Sequence, residues 1–340
     1  MEMRVIGLQD IYFEEAYGKL YEEIEGGVCE TFRFNHPLGC VRHLFIKRKI
    51  DITIGDEVYY DLTTPYGYGG PMMDCPEESN RPLVAKEFFK AFQQYCTTQN
   101  IISELIRFHP VFSNESDFKD VYELVWRRKT IGTNIADFES PVQSEFSKSA
   151  KENIKRARKA GIETRVTRHP ESLGLFKEFY YKTLQKNHAE DIYFFGDDYF
   201  DKCLKFLGPH LLLVEAIHEG KVIGMILNFA YGDYVHIHLS GTLQETIHLS
   251  PVYIMMQTLT LWAKENNIKL IHSGGGRTSS LDDKLFQFKK RFGNHTEFEY
   301  YFGYKIWNQE IYDCLAEAVG ASPKSSCFPA YRTPADEEAG

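Results

Sequence analysis

Residues 210–241, "HLLLVEAIHEGKVIGMILNFAYGDYVHIHLSG", confine the fold more than any other stretch. Three runs rich in Val, Ile, Leu, Phe and Tyr are separated by Glu219-Gly220 and by Gly232-Asp233, residue pairs that tight hairpins favour. The spacing predicts an antiparallel three-strand meander. "SPVYIMMQTLTLWAKENN" follows and reads as a helix, with Ser250 as N-cap and Pro251 at its first position. "IKLIHS" then reads as a buried strand.

The first half repeats this order in outline. "GVCETFRF", "CVRHLFIKRKI" and "EVYYDLTT" read as strands, then come the loop "PYGYGGPMMDCPEESNRP", the helix "LVAKEFFKAFQQYC" and the buried strand "IISELIRF". No residue-level repeat accompanies the echo. Residues 9–24 read as a leading helix. Residues 143–160 read as one helix closed by Gly161, followed by the strand "IETRVTR" and the helices "ESLGLFKEFYYKTLQKN" and "DDYFDKCLKFLG". The helix "LDDKLFQFKKRFG", the strand "TEFEYYFGYKIW" and the helix "NQEIYDCLAEAV" end the ordered pattern. The expectation is an α+β chain cut near residue 140, with domains 1–140 and 141–320. The tail 321–340, rich in Pro, Ser and charge, is expected to be flexible.

With 43% hydrophobic residues, 25 Phe and 21 Tyr, the chain can fill two sizeable cores. No run approaches the roughly 18 apolar residues of a membrane span, and "MEMRVIGLQD" has no apolar signal core. The seven cysteines are scattered singly, without a CxxC pair, which disfavours zinc clusters and a disulfide framework. A cytoplasmic location is expected. The net charge of −9 argues against a protein built mainly to bind nucleic acid, while leaving room for a local basic patch.

Several places carry the residue types of a binding or catalytic site. Tyr66, Gly67, Tyr68, Gly69 and Gly70 combine close backbone approach with flat faces and hydroxyls. Gly274, Gly275, Gly276 and Arg277 follow a buried strand, where successive N–H groups suit an anion; the run lacks the Lys-Ser/Thr ending of a nucleotide phosphate loop. Lys289, Lys290 and Arg291 sit in the last turn of a helix, where cations also complement the helix dipole. Residues 148–159 hold six cations against Glu152, suited to a phosphate backbone or to a solvated face. His236 and His238 alternate on a strand and so share one side of the sheet. No carboxylate spacing completes a metal site, so no metal is expected, and a general-base role is open to either.

Element order, with the meander feeding a helix and then a parallel strand, resembles the GNAT acyltransferase superfamily. "DLTTPYGYGGP", "KSAKENIKRARKAGIETRV", "HLSGTLQETIHLSPVYIMMQTLTLWAKENNIKLIHSGGG", "SLDDKLFQFKKRFG" and "FGYKIWNQEIYDCL" resemble the FemAB-like, Fem-type peptidoglycan-bridge aminoacyltransferases over about residues 55–315. The chain shows no heptad pair for the long helical arm of some members. Its "GTLQETIHLSP" also lacks the glycine-rich loop that binds acetyl-CoA in many GNAT proteins.

The resemblance implies tandem GNAT-like domains, each a mixed central sheet flanked by helices. It implies an acyltransferase moving an aminoacyl group from an aminoacyl-tRNA type of ester to an amine of a diphosphate- or sugar-containing cell-wall precursor. The donor is then a co-substrate, and no bound cofactor is expected. On the same footing, Lys289 supplies fixed positive charge and Tyr253 a proton for the leaving group, with His238 as a further catalytic candidate. Tyr66 to Gly70, Asn153, Arg156, Gly275, Gly276, Arg277 and Arg291 would bind substrate. Two alternatives stay open: an acyl-CoA-dependent N-acyltransferase acting on a sugar or cell-envelope amine, and a non-catalytic binder of an acidic glycan precursor.

Overall fold

The computed structural model describes residues 10–186, 195–196, 198–322 and 327–332. The chain divides into two compact units. One comprises Tyr12–Arg127 and the described residues from Glu299 on; the other comprises Asp10, Ile11 and Arg128–Phe298.

The first unit begins with helix α1 (Glu15–Glu25) and strands β1 (Val28–His36), β2 (Gly39–Lys49), β3 (Tyr60–Thr63) and β4 (Met72–Asp74). β1 pairs antiparallel with β2, and both β3 and β4 pair antiparallel with β2. Helix α2 (Arg81–Thr98) places Val84, Ala85, Phe88, Phe92 and Cys96 on one buried stripe at helical spacing. That stripe packs with Val41, Phe45, Leu62, Ile101 and Ile106. The helix returns the chain to β5 (Ile101–Arg107), which lies parallel to β3.

β6 (Glu123–Asn134) leaves the first unit and enters the second. The expected single helix over 143–160 is two helices, α3 (Pro141–Glu145) and α4 (Lys148–Lys159), broken where Ser147 caps α4 by accepting from the Ala150 N–H. The break leaves the carboxylate of Glu145 buried, where it accepts from the N–H groups of Asn134 and His295 and from the Thr296 hydroxyl. Strand β7 (Glu163–Arg168) and helices α5 (Gly174–Lys186) and α6 (Tyr199–Leu207) come next, followed by the meander β8 (Leu211–His218), β9 (Lys221–Tyr231) and β10 (Tyr234–Thr242). Glu219 and Gly220 both take positive φ in the first hairpin, as a type I′ turn requires.

Helix α7 (Pro251–Glu265) buries Met255, Leu259 and Ala263 against Val214, Ile226 and Val235, and α4 adds Ala150, Ile154 and Ala157 to the same core. β11 (Leu270–Gly275) then lies parallel to β10, and β6 pairs antiparallel with β11. Helix α8 (Lys284–Lys290), strand β12 (Glu297–Ile306) and helix α9 (Gln309–Ala318) complete the order.

Each unit therefore repeats the same scheme: an antiparallel meander, a helix, a parallel strand, and an antiparallel closing strand from elsewhere in the chain. β12 closes the first unit on β5, and β6 closes the second on β11. For that reason the division does not fall at one cut near residue 140: residues from Glu299 belong with the first unit, and Arg128–Asn134 with the second.

Two further expectations differ from the structure. Ser250 does not cap α7 with its side chain; the residue is left-handed, at φ 63°, and its hydroxyl donates to Asn153 Oδ1 at 2.9 Å. An N-cap residue takes extended backbone, so the left-handed turn at Ser250 aims its hydroxyl away from the N–H groups of α7. The tail is not uniformly loose. Ala330 and Tyr331 are buried beside Tyr312 and Leu315, Tyr331 bonds the Ser103 hydroxyl at 2.7 Å, and Arg332 reaches Asp61 at 2.5 Å. Residues 323–326 and 333–340 lie outside the described residues. Among the described residues no helix is long and apolar enough to cross a membrane.

Candidate functional site

In the second unit, β10 and β11 share only three register pairs, from Tyr234/Leu270 to His236/His272. Beyond them β10 continues on β9 and β11 on β6, and each strand breaks register there: between Ile237 and Leu239, and between His272 and Gly274. Bulges of this kind bend strands and re-aim side chains. The parallel pair thus parts where β11 runs into its glycine turn.

That turn is organised around charge from within the chain. The carboxylate of Asp283, N-cap of α8, accepts from the N–H groups of Arg277 and Thr278 at 3.1 Å each and from those of Leu285 and Phe286 at 2.9 Å each. The backbone donors at Arg277 and Thr278 therefore meet an internal carboxylate. A Cβ at Gly276 would lie 2.4 Å from Asp283 Oδ1, so only glycine allows this approach. Desolvation pushes the Asp283 carboxyl up, but its bonds from Phe286, Thr278 and Arg277 outweigh this and hold it below the usual range.

The carbonyls of the turn take cations. Lys289 Nζ donates to Gly275 O at 2.7 Å. Arg128 Nη1 donates to Gly276 O, and to Arg277 O at 3.0 Å. Burial, and then the adjacent Arg128 charge, push the Lys289 ammonium down to about 8, against an opposing pull from Asp283. The neighbouring cations behave differently: Lys129 at 3.0 Å and Lys290 at 2.5 Å both pair with Glu297.

A second group gathers at the start of α7. Arg291 Nη1 donates to the Tyr253 hydroxyl at 2.6 Å, and Tyr253 packs edge-on to Phe288. Asn153 accepts from Ser250 and donates to Ser149 O at 2.9 Å. Arg156 is exposed one turn farther along α4. Phe288 and Lys289 are consecutive, so α8 joins the two groups.

His238 belongs to neither. It is the extra residue of the β10 bulge, bonded through Nε2 to the Tyr199 hydroxyl at 2.7 Å and packed on Phe229. Desolvation pushes its imidazole down to about 3, so at neutral pH it is uncharged and weakly basic. His236 has a carboxylate partner that no local spacing announced: Asp10, 226 residues earlier, at 2.6 Å.

In the first unit, Tyr66 to Gly70 form a loop tied by its backbone. The Tyr17 hydroxyl donates to Tyr66 O at 2.7 Å, the Tyr300 hydroxyl to Gly67 O at 3.2 Å, and Asn114 Nδ2 to Gly69 O at 2.9 Å. Gly69 N–H donates to Arg107 O at 2.7 Å. Tyr68 makes edge contacts with Tyr12 and Tyr300. Gly67 and Gly70 have φ of 99° and 89°, a region that side chains other than glycine's rarely adopt. Tyr66 leaves part of its ring exposed.

Residues 144–290 match the acetyltransferase (GNAT) domain family. No curated protein matches the chain in sequence. Among solved structures the chain is similar to FemX, with a TM-score of 0.65 and 14% identity over 90% of this chain and 94% of that one. It is also similar to the C-terminal domain of a protein described as a lysylphosphatidylglycerol synthetase from Agrobacterium fabrum, with a TM-score of 0.54 and 11% identity over 86% and 88%. The fold is the mixed-sheet GNAT fold.

Proposed function

With a GNAT domain over residues 144–290 and the fold of FemX as the premise, we propose that this chain is an acyltransferase that moves an aminoacyl group from an aminoacyl-tRNA ester to an amine of a cell-wall precursor. The observation that carries the reading is the Lys289 ammonium, fixed on Gly275 O at the end of β11, where the parallel pair parts.

The chemistry needs little more than positioning and charge. The acceptor amine is itself the nucleophile, and the ester is already activated. As the C–N bond forms, the carbonyl oxygen gains negative charge that a positioned cation such as Lys289 stabilises. The C–O bond then breaks, and the departing ribose hydroxyl takes a proton from Tyr253. The ammonium formed on the product nitrogen returns one, so the protons balance. Asn153, Arg156 and Arg291 would orient the substrates in the second unit; in the first, the Tyr66–Gly70 loop would bind substrate. His238, uncharged and engaged with Tyr199, serves better as a packing group than as a base.

An acyl-CoA donor is the second reading, favoured by the GNAT match itself. Against it, the segment between β10 and α7 spends the N–H groups of Thr246 and Ser250 on its own turn, at 3.2 and 2.9 Å, rather than presenting them to a pyrophosphate.

The test is transfer of a radiolabelled amino acid from charged tRNA to a nucleotide-linked peptidoglycan precursor, run beside the same acceptor with acyl-CoA donors. Transfer from charged tRNA, lost in Lys289→Met, supports the proposal. Transfer from acyl-CoA only, or binding without turnover of any donor, overturns it.

A further inference from the structure

Two arginines of this chain show how a guanidinium usually meets a carboxylate. Arg165 sets Nε and Nη2 on the two oxygens of Glu215 at 2.5 and 2.8 Å, and Arg81 sets the same two nitrogens on Asp117. Arg107, the last residue of β5, is held differently. Its Nη1 alone makes every bond of the side chain: to Thr64 O at 2.6 Å, to Thr63 Oγ1 at 3.1 Å and to Glu25 Oε1 at 3.3 Å. Nε and Nη2, the two-pronged edge, have no partner among the described residues and reach solvent, on a side chain that is 20% exposed.

Glu25 is likewise half used. Oε1 takes the Arg107 bond, while Oε2 has no partner among the described residues and is not buried. Beside this pair stands Tyr66. Its ring is 37% exposed and stacks on Tyr21 at 5.8 Å. Tyr21 and Glu25 are one turn apart on α1, neighbours on one helix face about 6 Å from each other. The ring and the charged pair therefore sit next to each other within the first unit, at the carboxyl end of the parallel pair β3 and β5. Ligands of sheets with parallel strands gather at that end.

The geometry points to a receptor for the head group of an α-amino acid. The planar carboxylate takes the Nε and Nη2 fork of Arg107, the ammonium takes Glu25 Oε2, and the side chain lies on the exposed face of Tyr66. The charges select this ligand. Glu25 cancels the charge of Arg107, so a phosphate, which carries more than one negative charge, gains little there. A zwitterion meets one charge of each sign. Thr63 and Thr64 fix the guanidinium before any ligand arrives, which lowers the ordering cost of binding. The inference rests on the reading of the Tyr66–Gly70 loop as a substrate-binding element, and it uses neither Lys289 nor Tyr253.

The experiment is calorimetry on the full chain at pH 7. The probes are alanine of either hand, Nε-acetyllysine, N-acetylalanine, alaninamide and orthophosphate. Nε-acetyllysine presents the head group at the end of a long arm, as a larger substrate would. Alanine, Nε-acetyllysine or both are expected to bind. N-acetylalanine lacks the ammonium and alaninamide the carboxylate, so each should bind about tenfold more weakly or worse, and orthophosphate likewise. Binding of Nε-acetyllysine alone assigns the head group to a larger molecule; binding of alanine as well shows that the free amino acid suffices. Glu25→Gln should bring the amino acid down to the level of N-acetylalanine. Arg107→Lys keeps the charge but loses the fork, and should weaken binding about tenfold or more. Circular dichroism confirms that each variant is folded. Should Arg107→Lys fail to fold, the probe series on the unaltered protein and Glu25→Gln decide the matter. A purely structural Arg107–Glu25 pair gives no binding of any probe, and that result overturns the inference. Equal binding of N-acetylalanine or orthophosphate, or binding unchanged in Glu25→Gln, overturns it too. No acyl donor is present in these assays. Amino-acid binding without transfer from charged tRNA sinks the functional proposal alone; transfer without amino-acid binding sinks the receptor alone.

Discussion

The guanidinium of Arg291 donates to the phenol oxygen of Tyr253 at 2.6 Å, which ties the end of α8 to the first turn of α7. Tyr253→Phe keeps the packing on Phe288 and Phe292 and removes only the hydroxyl. If Tyr253 serves the leaving group, transfer falls about 100-fold or more while stability changes by about 1 kcal/mol or less. Single-turnover rates and urea denaturation measure the two. Unchanged transfer would reduce Tyr253 to a core aromatic.

Lys289 sets the expected pH dependence. Its ammonium loses its proton near pH 8, so a reaction that needs the charge declines as pH rises through about 8. The rising limb at lower pH belongs to the acceptor amine, which attacks only when neutral. Lys289→Arg keeps the charge at every accessible pH, so it should lose the falling limb even if its rate is lower. A pH profile of the rate constant from 6 to 10 for both proteins checks this.

The Tyr66–Gly70 loop separates packing from binding. Gly70→Ala must hold φ near 89° and bring its Cβ within 2.9 Å of Ile106, which should cost about 2–4 kcal/mol. Gly55→Ala, also at positive φ but with nothing within 4 Å, should cost only about 1 kcal/mol. Tyr66→Ala, which loses the stacking of its partly exposed ring on Tyr21, should cost about 1–2 kcal/mol and raise KM for the substrate the loop binds. Chemical denaturation and steady-state kinetics distinguish these outcomes.

Tyr331 tests whether the tail matters. Truncating it to alanine empties a buried aromatic position and leaves Ser103 without its hydroxyl partner, a loss of about 3–5 kcal/mol. Tyr331→Phe should cost about 1–2 kcal/mol through the unmet hydroxyl of Ser103. A tail that contributed nothing would give no change in either variant.

The halves differed in how plainly they declared themselves. The meander over residues 211–242 was legible because its hairpin dipeptides and strand periods agree, and the same is true of α2 and α7. β6 was passed over: Arg127, Arg128 and Lys129 interrupt its apolar pattern, and the buried Thr130, Ile131 and Thr133 find their cover only in partners far along the chain. The tail looked loose because Pro, Ser and charge dominate it, although Phe328 and Tyr331 were there to be buried. Gly274-Gly275-Gly276 announces a turn, yet nothing local says that its donors meet Asp283 or that its carbonyls meet Arg128. Ser250 satisfied every local rule for a cap, yet its left-handed backbone and its bond to Asn153, 97 residues earlier, take the hydroxyl elsewhere.

Strand β12 has a consequence for how the protein is made. The first unit is largely synthesised before the second, but the partner for its β5 edge lies at residues 302–306. On the ribosome that edge stays unpaired until residues 302–306 have emerged, while β6 and β11 are both available earlier to complete the other sheet. The half that is translated first is thus the last to finish, and a ribosome that stops before residue 302 releases a chain with an open, adhesive border.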